Sequence, residues 1–279
     1  MATRKKRKSA PKKRRAGNAR REFKRFPTPI TSLTVFFQAC DLAMKKDSVY
    51  WFRGHADASW TLTPSALRYR GAKQRNTALG LLADFKRYAE IKLPNPPSPD
   101  EELKWVQLAR HYGLPTRLLD WTRNAAIALY FACQKASRSQ GGDGTVYMLN
   151  PIDLNRAAAP KKPQIFDAHT DARLIASYLR LSGHTNSRGR KTIAINPVWN
   201  SERIMAQQGV FTLHGSKDFT LTFEQAPSIV FFTIPSENKE DLLQELERVG
   251  INEMSIFPEP EHMCHYLVWR EKLDVLGVQ

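Results

Sequence analysis

Arg53 closes the apolar run "VYWF" and is followed by Gly54 and His55. A guanidinium is a planar fork that grips phosphate or carboxylate through paired hydrogen bonds. Glycine lets a backbone come close to a ligand, or take up a positive φ. An imidazole beside them titrates near neutral pH. Together these residue types, at the end of a strand, point to an anion held at the mouth of a cleft. The structural alternative is that Arg53 pairs with a buried acid such as Asp120.

A second cluster lies in "ARHYGLPTRLLDWTRNAAIALYFA" (109–132), where His111, Tyr112, Thr116, Arg117, Asp120, Trp121 and Thr122 crowd together. Gln107 and His111 are four apart and share a helix face. The spacing predicts a loop carrying Arg117 and Asp120, then an apolar helix. Polar groups beside a buried helix must find partners or they cost free energy. Either Asp120 caps that helix with Arg117 paired to it, or Arg, His and Asp ring a ligand, since loops on a rigid scaffold carry sites. In "ERIMAQQGVFTLHGS" (202–216), Gln207 and Gln208 offer amides at a helix end, for a ligand's edge or for solvent.

Several chemistries are absent. The chain has no phosphate loop of the GxxxxGK[ST] type, no GxGxxG and no GxSxG elbow. His262, Cys264 and His265 in "EHMCHY" are spaced too tightly for a usual zinc site, and no fourth ligand is evident, so no metal is expected.

The elements that must position these groups follow from patterning. "SVYWF" (48–52) reads as a strand and "TALGLLADFKRYAEIKL" (77–93) as a helix. Asp100 can cap a helix that Gly113 stops, and residues 123–136 form the next. "TVYMLN", "TIAINP", "VFTLHG", "SIVFFTIP" and "MSIFP" read as strands. "DARLIASYLRL" (171–181), "SERIMAQQG" (201–209) and "ENKEDLLQELERVG" (237–250) read as helices. Helices and strands mix without clean βαβ alternation. The expected fold is α+β: a single mixed domain with a small split sheet and surrounding helices. It is placed at residues 28–270, behind a disordered basic arm (1–27) and before a short tail (271–279).

The net charge of +16 belongs mostly to that arm. Residues 1–25 hold 13 Lys/Arg and one Glu, leaving 30 Lys/Arg against 26 Asp/Glu in the rest. Two clusters, Lys5, Lys6, Arg7, Lys8 and Lys12, Lys13, Arg14, Arg15, suit phosphates through counterion release, which makes nucleic acid or another polyanion the expected partner. No apolar run reaches the roughly 18–20 residues of a membrane helix, so no membrane partner is expected. The three cysteines lie far apart without paired spacing, which suits a reducing, cytoplasmic setting.

Taken in order, "FRG", "ARHYGLPTRLLDWTRNAAIALYFA", "ERIMAQQGVFTLHGS" and "MSIFPEPE" resemble the FRG-domain family, found mainly in bacteria and their phages, over about residues 30–268. A weaker resemblance is to ADP-ribosyltransferases of the Arg-Ser-Glu type. It implies NAD as ligand, with Arg53 on the diphosphate and Thr122 standing where a Ser-Thr-Ser strand occurs. Gln208, or Glu259 and Glu261 in "PEPEH", would stand at the nicotinamide ribose. Here "DWT" replaces Ser-Thr-Ser, and Pro260 disfavours a strand around the glutamates. The resemblance therefore implies either an NAD-dependent transferase acting on a macromolecule or a non-catalytic module that binds nucleotide or nucleic acid.

Overall fold

The computed structural model describes residues 23–135, 142–156, 158–161, 163–179, 191–215, 220–222 and 224–271. Seven strands are present among them: β1 (Lys24–Arg25), β2 (Trp51–His55), β3 (Leu118–Thr122), β4 (Gly144–Leu149), β5 (Ile193–Ile195), β6 (Gly209–Leu213) and β7 (Val230–Ile234). The helices are α1 (Leu33–Ala43), α2 (Gly71–Lys92), α3 (Glu102–His111), α4 (Ala125–Cys133), α5 (Pro151–Arg156), α6 (Ala172–Leu179), α7 (Glu202–Ala206), α8 (Lys239–Arg248), α9 (Glu253–Ile256) and α10 (Pro260–Arg270). The fold is α+β, as patterning predicts. No helix among the described residues is long and apolar enough to cross a membrane.

The strands form one sheet in the order β1-β7-β4-β2-β3-β6-β5. Every neighbouring pair is antiparallel except β1 with β7. The expected split is a seam rather than a gap between two sheets. Trp51 to His55 all pair with β4, and Leu118 to Thr122 all pair with β6. Between β2 and β3 the register holds one pair, Phe52 with Thr122.

Alternation along the strands builds two faces. Phe52, Val146, Met148 and Phe232 pack with α1, α4 and α8. Leu118, Ile193, Phe211 and Leu213 pack with α3 and α6. Trp51, Leu119, Trp121 and Leu149 form a separate cluster. Fully burying one such side chain stabilises by about 1.5–3 kcal/mol.

α4 is apolar all round because it is buried all round, with Ala128, Leu129 and Ala132 fully covered. Its cap is Asn124, not Asp120. Asn124 Oδ1 accepts from the N–H groups of Ala126 (2.9 Å) and Ile127 (3.4 Å). Gly54 lies directly beneath this helix. A Cβ there would sit 1.9 Å from the Ala128 carbonyl oxygen and 2.6 Å from the Ala132 nitrogen. Glycine is therefore required at 54 by the helix crossing the strand, with small residues on both elements.

Three expectations change. Of the loop expected to carry Arg117 and Asp120, Asp120 lies in strand β3 and Arg117 immediately before it. "MSIFP" is helical: Asn252 and Ser255 form a capping box at the start of α9. Residues expected to end the arm belong to the body. Lys24 and Arg25 pair with Val230 and Phe231, and the Phe26 ring lies 5.3 Å from Phe232. Lys5, Lys6, Arg7, Lys8, Lys12, Lys13, Arg14 and Arg15 lie outside the described residues.

Candidate functional site

A cavity of about 610 Å³ opens where β2 and β3 part, walled by α3, α4 and α7. Past the Phe52–Thr122 pair the two strands have no further paired residues. Arg53 bridges the gap: its Nη1 donates to the Asp120 carbonyl oxygen at 2.6 Å and lies 3.7 Å from Asp120 Oδ2. The guanidinium stands where a ladder bond would otherwise be.

Arg110, in the last turn of α3, forks onto both carboxylate oxygens of Asp120. Two guanidinium groups thus share one carboxylate. The Arg53 and Arg110 side chains are 16% and 23% exposed, and that of Asp120 42%. Burial first, then neighbouring cations (Arg68 for Arg53; Arg53 and Arg68 for Arg110), push both guanidiniums down to about 9. At neutral pH both remain charged, at an electrostatic cost that a further anion would relieve. Among the described residues lining the cavity, Arg53, Arg110, Lys135 and Arg203 are cations and Asp120 is the one carboxylate. Trp60, Phe131 and Phe257 supply aromatic wall.

Arg53 is itself held. His55 Nε2 accepts from Arg53 Nε at 2.9 Å. His55 is buried with its ring 5.2 Å from that of Tyr147. Burial, and then the Arg53 charge, keep its protonation well below the ordinary range, so it is a neutral acceptor. His55 therefore orients Arg53 and does not line the cavity.

Of the residues that sequence singled out, Arg53, Gly54, His111, Asp120 and Thr122 line this cavity together. Thr122 Oγ1 donates to the Gln207 carbonyl at 2.7 Å and accepts from the Asn124 N–H at 3.0 Å. Gln208 does not line it. Its backbone adopts φ +46° and its carbonyl accepts from the Arg123 N–H, leaving Gln207 on the cavity wall. Arg117 is buried elsewhere, donating to the Tyr178 carbonyl. Glu259 stands behind the wall. Its Oε1 accepts from Arg203 Nε at 2.8 Å and lies 4.0 Å from His111 Nε2. Burial raises this carboxyl, but the Arg203 hydrogen bond and the charges of Arg203 and His111 outweigh it, holding Glu259 below the usual carboxylate range. Glu261 is exposed. Gln107 lines the cavity with both amide ends committed to Val198: Nε2 donates to its carbonyl at 3.0 Å, and Oε1 accepts its N–H at 3.2 Å. That pins the chain leading into α7.

Arg110 was missed by sequence reasoning, though a signal existed. It lies three residues after Gln107, on the same helix face, in a last turn whose dipole favours cations. Arg203 and Phe257 had no such signal, since only the tertiary fold brings them to the cavity.

Residues 48–141 match the family model of the FRG domain. No curated protein and no solved structure matches the chain. The matched stretch contains Arg53, Arg110, His111, Asp120 and Thr122, whereas Arg203, Gln207 and Glu259 lie beyond it. The cavity is thus lined partly from within the matched stretch and partly from outside it.

Proposed function

We propose that this chain, which carries an FRG domain over residues 48–141, uses it to bind a diphosphate-bearing nucleotide, NAD first among the candidates. The observation that supports this is the pair of largely buried guanidiniums, Arg53 and Arg110, sharing the single carboxylate of Asp120 at a cavity of about 610 Å³. That volume falls within the range of small-molecule sites, roughly 300–1,000 Å³. A diphosphate offers two anionic groups to the two planar forks. The aromatic walls suit a base or a nicotinamide ring.

ADP-ribosyl transfer would require one group more. Breaking the bond between nicotinamide and ribose builds oxocarbenium charge on the sugar, and a carboxylate facing it would stabilise that charge. Asp120 is committed to the two arginines, and Glu259 reaches the cavity only through Arg203. This favours binding without transfer as the second reading, with transfer dependent on Arg203 releasing Glu259.

The test is calorimetric titration of the full chain with NAD, ADP and AMP, beside release of labelled nicotinamide. NAD and ADP should bind, AMP more weakly. Arg53→Ala should lose about 10- to 100-fold in affinity, as expected for hydrogen bonds to a charged group. Folded protein that binds no diphosphate nucleotide overturns the proposal. Nicotinamide release abolished by Glu259→Gln establishes cleavage of the glycosidic bond. Appearance of the labelled ADP-ribosyl group on a macromolecule rather than as free ADP-ribose establishes transfer, and binding without release establishes the second reading.

For the basic clusters between Lys5 and Arg15 we propose contact with a phosphate polymer. A truncation testing this should stop before Phe23, whose ring packs 6.1 Å from Tyr147. Loss of a steep salt dependence on removing residues 1–21 is the expected result.

A further inference from the structure

We propose that Glu253, His262 and His265 bind a zinc ion at the corner between α9 and α10. One ligand atom from each lies within 4.8 Å of the others. The Nδ1 atoms of both histidines converge on one oxygen: His262 at 2.6 Å and His265 at 3.4 Å from Glu253 Oε1. That oxygen can accept from both rings only if both carry their proton on Nδ1. In the other tautomer two lone pairs and a carboxylate face one point, and a cation is what such a point holds.

The donor chemistry favours a transition ion over the hard cations, and zinc is the redox-inert choice among such ions. Two imidazoles and one carboxylate, with water in the fourth position, is a three-ligand zinc set. Magnesium and calcium prefer all-oxygen sites. Ligand atoms at about 2.0–2.2 Å on a tetrahedral ion stand about 3.3–3.6 Å apart, against 2.6 and 3.4 Å here from the two Nδ1 atoms to Glu253 Oε1.

The surroundings fit as well. The His262 ring stacks on Phe257, with centroids 4.2 Å apart and planes 19° apart. Its Nε2 lies 3.7 Å from Glu261 Oε1, longer than a hydrogen bond but near enough for a small approach to form the carboxylate–imidazole contact that fixes a ligand's tautomer. The His265 side chain is 66% exposed, which gives the ion its entry. The histidine spacing alone argued against a metal. The missing ligand comes from another helix, nine residues before His262.

The proposal does not depend on the nucleotide reading. It adds a role for the corner: Phe257 lines the cavity, so an ion on His262 would fix that part of its wall.

The test uses untagged full-length protein, stripped with a chelator and titrated with ZnCl₂ at neutral pH, with MgCl₂ as control. One zinc per chain and a raised Tm are expected, with no uptake of magnesium. His265→Ala, a change at an exposed position, should weaken zinc binding at least about tenfold, as should Glu253→Gln. Absence of one-to-one zinc uptake by folded wild type overturns the proposal. So does uptake that either variant leaves undiminished.

Discussion

On the β2 side of the cavity, Gly54 lies against α4 at Ala128, Phe131 and Ala132, and Arg53 is the one polar side chain of β2 that lines the cavity. On the β3 side, Asp120 receives two guanidiniums and Thr122 ties down the turn after α7. The first half is positioned by packing, which has no substitute for an absent neighbour. The second is positioned by polar bonds, which a ligand's own polar groups can replace. The contrast separates what holds the cavity open from what can respond to its contents.

Two substitutions and one labelling measurement would sharpen or break this contrast. Gly54→Ala should have the largest effect, because the new Cβ meets backbone atoms on α4 that cannot swing aside. We expect a loss of about 3 kcal/mol or more in urea unfolding, the upper end for overpacking. A loss below 1 kcal/mol would show that α4 floats on the strand. Arg110→Met comes next. It should lower diphosphate-nucleotide affinity by about tenfold or more while costing less stability than Gly54→Ala, since Asp120 keeps Arg53 and is half open to water. Equal losses of stability in the two variants would erase the distinction.

The smallest effect concerns thiols in the packed half. Burial pushes Cys40 and Cys133 up to about 12, whereas Cys264 is exposed. In native protein at pH 8–9 a thiol reagent should label one cysteine rapidly, and all three once denatured. The sign for stability follows. The folded thiols keep their protons where unfolded ones ionise, so their contribution is intact below about pH 9 and is lost as pH rises towards 12. Rapid labelling of Cys133 would mean that α4 opens readily.

Much of the fold was legible in sequence because local signals agreed with the tertiary outcome. Leu242 and Leu246 sit one turn apart on α8, and Ser201 caps α7. What failed did so for physical reasons. "LLDWT" reads as loop because Asp120 interrupts a strand pattern, yet Asp120 is stabilised there by arginines distant in sequence. β1 is two residues long and exists only because β7 offers an edge. At the site, Arg53 and Thr122 were singled out by residue type and by the family resemblance rather than by position: Arg53 is the middle residue of β2, not its end, and Thr122 ends a strand that reads as loop. The choice between Gln207 and Gln208 turned on a positive φ that no side-chain pattern reports. Asp120 was expected to meet Arg53 or Arg117. It meets Arg53 and Arg110, because the end of α3 projects over β3.

The single Phe52–Thr122 pair has a mechanical meaning. The sheet is two ladders sharing one rung. An anion gripped by Arg53 of one ladder and Arg110 above the other would act as a second rung. Amide hydrogens on β2 and β3 would then exchange more slowly together when it binds, each ladder borrowing protection from its neighbour.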